Sequence, residues 1–121
     1  MMQSASAPME IRVRPDKKSL SIAFKADEIY EFSAEFLRVE SPSAEVRGHG
    51  ESEKRLVSGK KSVVFKSIEP VGNYALKLVF SDGHSTGIYT WDYFKEHGEQ
   101  QDEIWQTYLQ KLEAAGKFRE E

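Results

Sequence analysis

The stretch from Tyr74 to Thr90 constrains the fold more than any other part of the chain. Tyr74, Leu76, Leu78 and Phe80 fall at alternate positions, which places four apolar side chains on one face of a strand. Asp82-Gly83 follows at once, a dipeptide that tolerates the positive φ angles of a tight hairpin turn. The return strand is expected over about 85–89. A two-residue turn would set Ser81 and His84 opposite each other at the tip. Such a sheet needs a covering layer, and the sequence supplies one directly afterwards.

Thr90 is suited to cap a helix, with Asp92 in its first turn, and Gly98 is expected to end or kink it. A longer helix is expected over about 102–115. Ile104, Trp105, Tyr108, Leu109 and Leu112 share one face of it, and Gly116 follows as a C-terminal stop. Upstream, Ile11 and Val13 alternate with charged residues, Pro15 to Lys18 turns the chain, and Leu20, Ile22 and Phe24 alternate again: a hairpin. Ile29 to Phe32 reads as a third strand, and Ser33 as the cap of a short helix over Ala34 to Glu40. Val63 to Ile68 reads as another strand, with a turn over Pro70 to Asn73. The expected fold is α+β: an antiparallel sheet of about five to seven strands packed against C-terminal helices. The Trp105, Tyr108 and Leu112 face should cover that sheet. Residues 1–9 read as a disordered tail, 10–116 as one domain, and 117–121 as a frayed end.

A chain of 121 residues with 39% hydrophobic and 31% charged residues suits one domain with its own core. The formal charge of −3 gives no global pull toward nucleic acid. The absence of cysteine excludes disulfides, thiolate metal sites and a cysteine nucleophile. Met1 to Pro8 lacks the apolar core of a signal peptide, and no run approaches about 18 apolar residues, so no membrane span and a cytoplasmic location are expected.

Gly83-His84-Ser85-Thr86-Gly87 matches the G-x-S-x-G pattern of serine hydrolases. That motif needs a strand-to-helix elbow, whereas Ser85 follows a hairpin turn and enters a strand. Hairpin chemistry is therefore the reading preferred for it. His49 and His84 lack the spacing of a metal motif. Lys54-Arg55, Lys60-Lys61 and Lys66 read as a solvated basic loop, and no nucleic-acid site is expected. Trp91 reads as core first and as an interface anchor second.

Leu37 to Glu45, Gly48-His49, Ile68 to Tyr74 and Phe80 to Tyr93 together resemble the DUF971 family, which is similar to the N-terminal domain of gamma-butyrobetaine hydroxylase. The resemblance covers roughly residues 10 to 115. It implies a structural zinc held through a C-x-C-x-x-C stretch and a later histidine. Those positions fall here on Ser41, Ser43, Val46 and His84, so three of the four ligands are replaced and no metal or cofactor is expected. Hydrogen bonds from Ser41, Ser43, Glu45 or Arg38 are expected to replace the metal clip, with His84 donating to a loop carbonyl or carboxylate. The iron- and 2-oxoglutarate-dependent catalytic domain of the hydroxylases is not in this sequence, so the resemblance carries no hydroxylase activity to it. Similar domains attached to iron–sulfur carrier proteins imply a docking role. The function expected is a non-enzymatic adaptor for a protein partner, with the sequence leaving the partner and oligomeric state open. Its surface would comprise Arg38, Glu45, His49, Asp82, His84 and Trp91. The alternative is a metal-binding accessory domain with a weak His/carboxylate site.

Overall fold

In the computed structural model, which describes residues 6–43, 46 and 55–120, the first hairpin lies where the alternation put it. Strands β1 (Glu10–Val13), β2 (Ser19–Lys25) and β3 (Glu28–Ser33) form an antiparallel sheet in that order. Helix α1 (Ala34–Val39) follows, and then β4 (Phe65–Val71), β5 (Ala75–Phe80) and β6 (Ile88–Thr90) form a second antiparallel sheet. Helices α2 (Trp91–Glu99) and α3 (Gln101–Ala115) complete the described order.

The α+β class stands, but among the described residues the expected single sheet is two sheets of three strands. Alternation reports the period of each strand and says nothing of which strand lies beside it. The sheets meet through side chains and through the β1–β2 turn, where Phe65 N–H donates to the Lys17 carbonyl at 2.9 Å. Leu20, Ile22 and Phe32 from one sheet join Phe65, Leu78 and Phe80 from the other in a shared apolar cluster. Each such side chain, fully buried, stabilises the fold by about 1.5–3 kcal/mol. Tyr74 falls outside the expected stripe: it belongs to the turn after β4 and is 53% exposed, while Leu76, Leu78 and Phe80 are buried.

Both helix caps lie at the residues the sequence offered. Ser33 Oγ accepts from Phe36 N–H at 2.9 Å, and Thr90 Oγ1 accepts from Tyr93 N–H at 3.1 Å. Gly98 does not end α2, which runs on to Glu99. It permits close approach: a Cβ there would lie 2.5 Å from Cγ of Tyr30 on β3. Gly116, at φ 66°, ends α3.

The strands are covered by α2, through Phe94 against Phe32 at 5.6 Å between ring centres, while of the α3 face expected to do so Trp105 reaches the main core beside Phe36 at 6.2 Å. Tyr108 and Leu112 pack instead with Val39 of α1 and with Leu56 and Val57. Tyr108 Oη donates to the Val57 carbonyl at 2.7 Å, which fixes α3 against that segment. The end expected to fray is also held. Gly59 N–H donates to the Phe118 carbonyl at 2.9 Å and Lys61 N–H to the Arg119 carbonyl at 3.0 Å. Arg119 grips the buried Glu35 with two bonds, Nε at 2.9 Å and Nη2 at 2.8 Å, a planar fork meeting a carboxylate. At the other end, Met9 N–H already pairs with the Ala23 carbonyl at 2.8 Å.

Gly98→Ala tests the α2–β3 approach. The clash is with the root of the Tyr30 side chain, which cannot swing away, so the variant should lose about 1–3 kcal/mol in urea unfolding.

Candidate functional site

The site begins with a turn one residue longer than the dipeptide suggested. Gly83 N–H donates to the Phe80 carbonyl at 3.0 Å, and Phe80 N–H donates to the His84 carbonyl at 3.0 Å. Ser81-Asp82-Gly83 is thus a three-residue turn with Gly83 at φ 93°. Asp82 Oδ1 accepts His84 N–H at 3.0 Å and holds that geometry. The extra residue changes faces: His84 lies opposite Phe80 rather than Ser81, so its ring turns inward. It sits 6.1 Å from the Phe80 ring and is 7% exposed. The return strand pairs only from Ile88, not from Ser85.

Across from the turn lies the segment leaving α1. Ser41 is fully buried, and its Oγ stands 2.9 Å from His84 Nε2. The same Oγ accepts Ser43 N–H at 3.2 Å. Ser43 Oγ stands 2.6 Å from Thr86 Oγ1, a second tie between the segments. Gly87 makes room for this: a Cβ there would be 2.6 Å from Ser41 Oγ. Two tyrosines from the other side satisfy carbonyls at the end of α1, Tyr89 donating to Leu37 and Tyr93 donating to Glu40 at 2.8 Å. Burial raises the ionisation of the Tyr89 hydroxyl well above the ordinary tyrosine value, which keeps it a donor.

Charge gathers at the tip. Arg38 Nε and Lys60 Nζ each stand 2.7 Å from Asp82 Oδ2, so two cations share one carboxylate. Burial by itself would raise the Asp82 pKa. Hydrogen bonds from Lys60, His84 N–H and Arg38 outweigh it and lower the value to about 2. Among the described residues, Arg38 Nη1 is buried without a hydrogen-bond partner.

Of the residues proposed from sequence, Arg38, Asp82 and His84 come together here. Trp91 does not: it is 7% exposed, belongs to the apolar core, and donates through Nε1 to the Asn73 carbonyl at the opposite turn of its sheet. Glu45 and His49 lie outside the described residues. His84 Nε2 stands against the Ser41 hydroxyl. Lys60, read as part of a solvated loop, is an ion-pair partner of the site, and no local pattern marked it. Gly87 carried a signal, the second glycine of G-x-S-x-G, which here reflects close packing.

The donor set does not fit the zinc that the resemblance implied. Ser41, Ser43, Val46 and His84 offer one imidazole, two hydroxyls and an apolar side chain, and the imidazole Nε2 is engaged by Ser41. Among the described residues, no group of three His, Asp or Glu side chains converges in a manner suited to a metal ion.

The chain belongs to the gamma-butyrobetaine hydroxylase-like N-terminal family, whose sequence model matches residues 11–95. A protein solved by NMR in solution is similar over 96% of this chain and 91% of its own, with 44% identity and a TM-score of 0.83. A second NMR solution structure matches at 40% identity and TM-score 0.81, covering 98% of this chain and 90% of that one. A crystal structure from Acidithiobacillus ferrooxidans ATCC 23270, of a protein of unknown function in the DUF971 family, has 34% identity and a TM-score of 0.62, covering 78% and 96%. No curated protein matches the chain.

Asp82 makes stability depend on pH. Its carboxyl is depressed from 3.8 to about 2, so its contribution is full above the higher value and is lost as pH falls through the lower one. After allowance for solvent screening this is about 1 kcal/mol. Urea unfolding of the native chain and Asp82→Asn should differ by that amount at neutral pH, and the gap should close in strong acid.

Proposed function

We propose that this chain is a non-catalytic adaptor that works in the cytoplasm and docks a protein partner through the tip formed by Arg38, Lys60 and the 81–84 turn, without a bound metal. The observation that carries this reading is Asp82 gripped by two cations at 2.7 Å each. The pairing sets two cations beside a turn whose Ser81, Asp82 and Gly83 are exposed. Among the described residues, Arg38 is held there with one buried donor unsatisfied, an arrangement that stability alone does not favour.

Two described serines with potential for chemistry have structural surroundings. Ser41 is buried, with its hydroxyl against His84. Ser85 follows a hairpin turn instead of a strand-to-helix elbow, and both glycines of its motif have local reasons, one in the turn and one in packing. Among the described residues no helix is long and apolar enough to cross a membrane. The family's likeness to gamma-butyrobetaine hydroxylase supports a partner in oxygenase systems.

Affinity capture followed by titration of the purified partner tests this. Arg38→Ala should weaken binding at least about tenfold, as loss of an arginine anchor does. Lys60→Glu should act in the same direction. A partner bound equally well by both folded variants, or turnover of a substrate by the chain alone, would contradict the reading.

A further inference from the structure

We infer that β1 is a pairing edge, and that two copies of this chain join there in an antiparallel ladder with Ile11 facing Ile11 across a twofold axis. The inference stands apart from the adaptor reading, which uses the turn of the other sheet. β1 is the outer strand of its sheet, and Glu10 to Val13 are all exposed. Two hydrogen bonds fix which of its backbone groups are open. Arg14 N–H donates to the Ser19 carbonyl at 3.0 Å, and Ala34 N–H donates to the Lys18 carbonyl at 2.7 Å. Hydrogen-bonded pairs alternate along an antiparallel ladder. With Arg12 opposite Ser21 and Leu20 opposite Phe32, Leu20 and Ile22 therefore turn their groups toward β3, and Ser19 and Ser21 turn theirs toward β1. Arg12 spends its groups on Ser21, and the N–H and C=O of Ile11 and Val13 point away from β2. Among the described residues no strand lies on that side.

An open edge alone invites any strand. The side chains select a second copy. Ile11 and Val13 stand opposite Ile22 and Leu20 on the face that carries the core, yet each is 37% exposed. Glu10 and Arg12 share the other face, paired at 3.1 Å and both open to solvent. Residues directly opposite in an antiparallel pair share a face, where opposite charges attract and like charges repel. A twofold axis through Ile11 sets Glu10 against Arg12 of the second copy, twice, and the four charges alternate in sign around the axis. An axis through Glu10 or through Arg12 brings like charges face to face, and one through Val13 sets Arg12 against Arg14. Glu10-Ile11-Arg12 is thus complementary to itself read backwards. The outward N–H and C=O of Ile11 supply the two bonds exchanged at the axis.

The test is sedimentation equilibrium of the full chain at low salt. A short edge buries little area, so a weak dimer is expected, populated at about 0.1–1 mM protein. Glu10→Arg and Arg12→Glu each set like charges across the axis and should weaken self-association at least about fivefold. Mixed in equal amounts, the two variants should pair with each other at least about tenfold more tightly than either does with itself. Every facing pair is then of opposite sign, although each chain carries like charges at 10 and 12. That outcome separates pairing between copies from the Glu10–Arg12 contact within one chain. With one variant isotope-labelled, the Ile11 and Val13 amides should shift on mixing. A native chain still monomeric at about 1 mM overturns the inference. So does a native dimer that neither variant weakens, a mixture that pairs no better than its components, or shifts that fall away from β1.

Discussion

A single extra residue in the β5–β6 turn decides where His84 points, and much of the site follows from it. With Gly83 absorbing the positive φ, His84 pairs opposite Phe80 and shares its inward face. The ring then meets Ser41, and the second sheet is tied to the segment leaving α1. Hydrogen bonds of this kind contribute about 0.5–1.5 kcal/mol each, and leaving such buried groups unpaired costs more. The corner therefore acts chiefly by specifying one register: a hairpin slipped by one residue would strand both Ser41 and His84. Asp82 serves the same turn twice, accepting the His84 amide with one oxygen and two cations with the other.

The rest of the molecule is arranged around α1, a short helix buried along most of its length. Phe36 and Leu37 join the core shared by the two sheets, while Val39 joins a smaller cluster with Tyr108 and Leu112. Tyr89 and Tyr93 satisfy carbonyls at its end, and Arg119 neutralises Glu35 in its first turn. A helix of six residues has little stability of its own. Its neighbours on every side fix it, and Arg38 is thereby positioned at the hairpin tip.

The parts legible in the sequence were local. Ser33 and Thr90 could be recognised as caps because the bond each makes lies within three residues. Leu76, Leu78 and Phe80 could be recognised as a buried stripe because a strand has a period of two. What escaped was set by distant partners. Arg119 could not be assigned to Glu35, nor Lys60 to Asp82, from spacing of any kind. The split into two sheets depends on which edges meet, and the role of Gly98 depends on Tyr30 far upstream. Asp82-Gly83 announced a turn but not its length, because two- and three-residue turns draw on the same residues. That one-residue difference moved His84 from the outer face to the inner one.

Native-state hydrogen exchange, read at individual amides in the native chain and in Ser41→Ala, bears most directly on the corner. If the contact between segment 41–43 and the hairpin holds the site together, the Ser43 and His84 amides exchange slowly in the native chain. Loss of the Ser41 hydroxyl then speeds both by at least about tenfold. Amides there that exchange at open-loop rates in the native chain, or that are unmoved by the substitution, would show that the site is organised by something else.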